Sequence, residues 1–166
     1  MNTLKSLVAV AAIACVGLSS AAYAQSASTT FDVTITIASA CSIDTPAATD
    51  VDFGTNASTA TNIDAAGQLN VNCTPGTDYD IALNEGLNAA GGGITARAMA
   101  NGLTLVPYQL YQDAGRTVVW GDTLDTNTLA GTGTGAVQAF PVYGRVPSAN
   151  FPAATYLDTV TATITY

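Results

Sequence analysis

Thr30-Phe31-Asp32-Val33-Thr34-Ile35-Thr36-Ile37 decides the fold class of this chain. Phe31, Val33, Ile35 and Ile37 fall on one side of a period of two, and Asp32, Thr34 and Thr36 fall on the other. That alternation, rich in β-branched residues, is the sequence form of a half-buried strand. It returns at Tyr156-Leu157-Asp158-Thr159-Val160-Thr161-Ala162-Thr163-Ile164-Thr165-Tyr166, where Tyr156, Val160, Ala162, Ile164 and Tyr166 share a face. Neither run has a neighbouring segment to pair with. A strand beside a free terminus can be lent to another molecule without threading a second connection, so assembly by strand exchange is the first expectation.

Working outward, Met1 to Ala24 carries one cation (Lys5), an apolar stretch from Leu7 to Leu18 and a small-x-small site at Ala22-Tyr23-Ala24. This reads as a secretory signal peptide cleaved before Gln25, and Cys15 is discarded with it. Residues 25–166 are the size of one domain. No later stretch reaches the length of a membrane span. The sequence carries a net charge of −8, and without Lys5 only Arg97, Arg116 and Arg145 stand against twelve carboxylates. Phosphate contacts need Lys and Arg, so this balance argues against nucleic acid or anionic lipid as a partner.

Cys41 and Cys73 survive processing, and in an exported protein two cysteines most simply form one disulfide. Closing a loop of about 33 residues contributes roughly 3–4 kcal/mol on the chain-entropy view. A metal pair lacks supporting ligands, because the chain has no histidine.

The rest of the chain reads as short strands between Gly, Pro and Asn turns. Val51-Asp52-Phe53-Gly54 is expected to be a short strand ending in a turn, and residues 55–67 a polar loop. Gln68 to Cys73 turns Leu69, Val71 and Cys73 inward. Thr74-Pro75-Gly76-Thr77 then leads into Tyr79 to Leu83 as a hairpin. Pro107 interrupts the apolar run from Leu103 to Tyr111, which points to an edge or bulge. Ala89 to Gly93 and Gly131 to Gly135 read as flexible loops, the second followed by Val137 to Val142. With no amphipathic helix of useful length, the fold class is an all-β antiparallel sandwich.

Sites for chemistry are weak. Asp50/Asp52 and Asp78/Asp80 are i, i+2 pairs that a strand would place on one face. A solvated strand face is the favoured reading over catalysis, which needs a shaped pocket. Calcium lacks the ligand density of a known loop. Without histidine there is no Ser-His-Asp triad. Gly131-Thr132-Gly133 is followed by no Lys and opens no helix, so it is not a phosphate loop. Asn56-Ala57-Ser58 fits a glycosylation sequon. Arg97, Arg116 and Arg145 are each expected to pair with a carboxylate, and Trp120 and Tyr111 to lie in the core. No enzyme, cofactor or metal site is expected.

A set of short pieces, each weak alone, is specific in its order and spacing. It begins with Ala40-Cys41-Ser42-Ile43, Val51-Asp52-Phe53-Gly54, Val71-Asn72-Cys73-Thr74-Pro75-Gly76 and Arg97-Ala98-Met99. It continues with Pro107-Tyr108-Gln109-Leu110-Tyr111-Gln112-Asp113, Trp120-Gly121-Asp122, Val142-Tyr143-Gly144-Arg145-Val146-Pro147 and Tyr156 to Thr161. Together they resemble the spore coat protein U family, which includes the pilin subunits of archaic chaperone–usher pili. The match runs the full length after the leader.

The resemblance implies an incomplete immunoglobulin-like antiparallel β-sandwich with an N-terminal donor strand. The domains are then a signal peptide at 1–24, a donor segment at 25–38 and a pilin-like sandwich at 39–166. It implies that a periplasmic chaperone lends the missing strand, and that the next subunit's N-terminal segment replaces it at an outer-membrane usher. Phe31, Val33, Ile35 and Ile37 would be the inserted side chains, worth roughly 6–12 kcal/mol gross at about 1.5–3 each. Periodicity alone favours an ordinary internal strand for this stretch; the resemblance shifts the reading to donation. Val160, Ala162, Ile164 and Tyr166 would be core residues of the strand bordering the empty groove.

The expected function is a structural subunit of a secreted surface fibre, a homopolymer of neighbouring pilin subunits that supports adhesion or biofilm formation. Its expected route is export through the periplasm to the cell surface. A spore or cell coat protein is the alternative. An extracellular ligand-binding sandwich, which would need exposed aromatic platforms, is a third.

Overall fold

The computed structural model describes residues 24–43, 46–89 and 91–166. The signal-peptide reading lies outside these residues except for Ala24. The chain divides into two units, one ending at Thr36 and the other running from Ile37 to Tyr166. In the first, residues 24–36 are exposed and none belongs to a strand. The alternating stretch expected as a strand is therefore not one here, because an alternating pattern becomes a strand only where a ladder partner takes its backbone hydrogen bonds.

The second unit is built from nine strands and one short 3₁₀ helix, Gly93–Ala96, among the described residues. The first sheet has the order β1 (Cys41–Ile43), β2 (Thr61–Cys73), β8 (Gln138–Ser148), β6 (Gln109–Tyr111). The second has the order β7 (Leu129–Thr132), β3 (Asp78–Leu83), β9 (Ala162–Thr165). β4 (Ala98–Asn101) and β5 (Thr104–Pro107) form a separate hairpin. Every pairing is antiparallel. Leu69, Val71 and Cys73 of β2, Tyr79, Ile81 and Leu83 of β3, and Val142 and Val146 of β8 meet in one buried core with Trp120. The inward alternation read for β2 is thus the observed one, and the strand read from Tyr79 to Leu83 is β3. Tyr111, expected in the core with Trp120, is only half-buried.

Three local expectations are corrected. The stretch 55–67 is not all loop: β2 begins at Thr61 and pairs with β8 from Thr61↔Ser148 to Val71↔Gln138. Small residues at Ala65, Ala66 and Gly67 hide the alternation there. β2 and β3 do not form a hairpin, since they lie in different sheets. The turn closed by Thr77 N–H to Thr74 C=O (3.1 Å) carries the chain across the sandwich instead. Gly131 lies within β7, against the Tyr79 ring, and not in a loop.

Val51 and Phe53 are not in a strand either. They pack over Gly144, where an added Cβ would stand 2.6 Å from Val51 and 2.7 Å from Phe53. Pro107 ends β5, and the chain passes from the hairpin to the first sheet at Tyr108. Pro141 lies within β8 but outside the part of it, Tyr143 to Arg145, that pairs with β6.

Arg97 is fully buried and, contrary to expectation, donates only to uncharged oxygens. Its guanidinium donates to Asn84 O (2.9 and 2.7 Å), Leu83 O (2.7 Å), Trp120 O (2.8 Å) and Gln109 Oε1 (2.8 Å). The donors of the planar fork are matched by neutral acceptors from three segments. Burial pulls its pKa down, offset by the nearby Tyr108, Asp122 and Asp158. Arg116 and Arg145 do pair as expected, both with Asp64 (3.1 and 2.7 Å).

Candidate strand-pairing site

Among the described residues, β1 at one end of the first sheet and β9 at one end of the second each have a ladder on one side only. β1 pairs with β2, and β9 pairs with β3. The two end strands lie beside one another, so one side of the sandwich presents two open edges. Unpaired edges carry backbone N–H and C=O groups free to receive another strand.

The side chains show the same opening. Cys41 faces Cys73 and Ile43 faces Val71 across β1–β2; Ile164 faces Ile81 and Ala162 faces Leu83 across β9–β3. The inner member of every pair is 3% exposed or less. The outer member is only partly buried, although it packs against the core. Cys41 and Cys73 form the expected disulfide, which ties the β1 edge to the centre of the first sheet.

Val160, Ala162 and Ile164 pack against the core. Tyr166 does not join them: it is 58% exposed, because it lies beyond Thr165, the last residue of β9. Upstream, residues 157–161 are held mainly by polar groups. Ala100 and Leu157 exchange backbone hydrogen bonds (2.8 and 3.1 Å). Asn84 Oδ1 accepts Thr161 N–H (2.8 Å), and Asn84 N–H donates to Thr161 O (3.1 Å). Asp158 accepts Leu87 N–H and Asn88 Nδ2 (2.9 Å each) at one oxygen and the Tyr108 hydroxyl (2.6 Å) at the other. Burial first, then the Asp158 bond, push the Tyr108 hydroxyl pKa well above its ordinary value.

Phe31, Val33, Ile35 and Ile37 are between 76% and 86% exposed. Four large apolar side chains in one alternating row, all in solvent, form an unsatisfied surface. Asp78 and Asp80 accept Thr132 and Thr128 hydroxyls (2.8 Å each), a cross-strand pairing on a sheet face. Trp120 and Tyr108 are buried, and Trp120 donates its indole N–H to Ile81 O (2.8 Å). Sequence reasoning did not identify Cys41 and Ile43 as the opposite edge, because three residues are too few to show a period. It also missed Asn84 and Asp158, whose partners lie 77 and 50 or more residues away.

The Spore Coat Protein U domain matches residues 27–163. The chain is 37% identical to Protein U of Myxococcus xanthus over 180 residues, covering all of both sequences. Among solved structures it resembles a chain of the CsuC–CsuE chaperone–tip adhesion subunit pre-assembly complex from the archaic chaperone–usher Csu pili of Acinetobacter baumannii. That likeness has a TM-score of 0.58 at 24% identity and covers 79% of this chain. This chain spans 40% of the length of the solved one.

Proposed function

The chain belongs to the Spore Coat Protein U domain family, and we propose that it is a secreted structural subunit assembled by donor-strand exchange into a surface fibre. The observation that carries this reading is the asymmetry of the four edge pairs, buried on the inner side and half-open on the outer. The exposed row Phe31, Val33, Ile35, Ile37 supplies a strand of matching character. A second copy's row entering between β1 and β9 closes the core and satisfies both edges, with ladder hydrogen bonds setting direction. The same groove takes a chaperone strand before assembly. In the Csu system a chaperone and the tip adhesion subunit likewise form a pre-assembly complex. Delivery by an outer-membrane usher, homopolymerisation, and a role in adhesion or biofilm formation complete the proposal.

Kinship with Protein U and the spore coat domain favours a coat as the second destination. Its assembly chemistry is the same. A ligand-binding sandwich is disfavoured because Trp120 and Tyr108 are spent in the core.

Cysteine cross-linking tests the proposal. I35C combined with A162C or I164C should give a ladder of covalent multimers on oxidation, while each single variant gives none beyond dimers. Monomers only from every combination would reject strand donation by this segment.

A further inference from the structure

Resting on the strand-exchange reading above, we infer that Asp158 and Asn84 are positioning residues that hold the β9 edge in register before a partner strand arrives. β9 pairs with β3 over only four residues, and its inward side chains are half-exposed. An edge with so little buried apolar area belongs to the low-stability end of a fold and frays readily. A strand adding to this edge gains most when the backbone groups are already aligned, because ordering them during binding costs free energy.

The polar groups around residues 157–161 supply that order. Asn84 immediately follows β3 and extends the ladder by two bonds to Thr161, one from its backbone and one to its side chain. Asp158 gathers Leu87 N–H, Asn88 Nδ2 and the Tyr108 hydroxyl around one carboxylate. Hydrogen bonds to a charged acceptor are the strong kind. The loop is shaped to this carboxylate: Gly86, at φ +83°, leaves no room for a Cβ, which would run into Asp158. None of these partners belongs to β1, so the clamp leaves the opposite edge untouched.

The test uses the full secreted chain with its disulfide intact, refolded from denaturant at low concentration with a dye-labelled peptide of residues 29–38. Peptide uptake is followed by anisotropy, and exchange of amides 158–165 is measured before and after. D158A loses all three bonds to the carboxylate and should take up peptide at least tenfold more slowly than the parent, about the factor that a single charge-assisted hydrogen bond is worth, and reach the same plateau. Its amides should be unprotected before uptake and protected after. D158N keeps the acceptor for Leu87 and presents an amide to the Tyr108 oxygen, so it should recover most of the rate. Y108F removes one strut while keeping the ring, and carries the test if D158A does not fold; it should slow uptake measurably. Parent-like uptake by D158A or by Y108F, or a D158N as slow as D158A, overturns the clamp while the groove stands. No uptake by the parent chain removes the strand-exchange reading and the clamp with it.

Discussion

Ile81 and Ile164 face each other across the β3–β9 ladder, yet Ile81 is completely buried and Ile164 is only partly so. Two isoleucines on one face of one ladder differ because β3 has strands on both sides and β9 has one. The difference locates a deficit in the core at the β9 edge. On the proposed strand-exchange reading, apolar side chains at a period of two fill it, and Phe31 to Ile37 has that pattern.

Ile35→Asp should therefore abolish fibre assembly while leaving the chaperone-held subunit soluble, because burying the unpaired carboxylate would cost about 3 kcal/mol or more. Ile81→Asp should prevent folding altogether. Electron microscopy of secreted material and the yield of soluble subunit separate the two outcomes. Normal fibres from the Ile35→Asp chain would remove that residue from the donor row.

Reducing the Cys41–Cys73 bond should cost about 3 kcal/mol of stability, given the loop it closes. The loss should concentrate at β1, whose three residues pair with β2 alone. Urea midpoints of the oxidised and reduced chains, with amide exchange at residues 41–43, measure both. Uniform loss of protection across β2 and β8 would contradict a local role.

Arg97→Ala strips the hydrogen-bond donor from Leu83 O, Asn84 O, Trp120 O and Gln109 Oε1. Gln109 Oε1 keeps Leu110 N–H (2.9 Å), so three acceptors are stranded, and at about 1 kcal/mol each the loss should be roughly 3 kcal/mol. Arg97→Lys should recover part of it, since an ammonium has three donors and no fork. Thermal unfolding of the three chains checks the order.

The Arg145 hydrogen bond, aided by Arg116, holds the Asp64 carboxyl below its ordinary pKa of 3.8. A depressed folded-state pKa adds stability above the unfolded value and loses it as pH falls through the folded one. The contribution is thus intact at neutral pH and disappears in acid, below about pH 4. Asp113, held down first by Val118 N–H, adds to the same limb. Asp64→Asn should lower stability slightly at neutral pH and flatten the acid limb, which urea midpoints between neutral pH and acid would show. An unchanged acid limb would contradict the assignment.

The inward row of β2 and the strand at Tyr79 to Leu83 were legible in the sequence because Leu69, Val71, Tyr79, Ile81 and Leu83 are large and strictly alternating. That the two strands belong to opposite sheets was not, since a Pro-Gly turn fits a hairpin and a crossing alike. Residues 61–67 escaped notice because small side chains carry no period; their strand is dictated by β8. Arg97 was expected to meet a carboxylate because most of its actual acceptors are backbone carbonyls, which no side-chain pattern reveals. Of the candidate site, Val160, Ala162 and Ile164 were legible from alternation, whereas the β1 edge and the Asp158 contacts emerge only from tertiary packing.

If the sandwich lacks one strand and residues 29–38 supply it, the melting temperature of the mature chain without residues 25–38 decides the matter. It is measured with and without a synthetic peptide of residues 29–38. Low stability alone and a saturable rise in melting temperature with peptide are the expected result. A stable monomer whose melting temperature ignores the peptide would contradict strand donation.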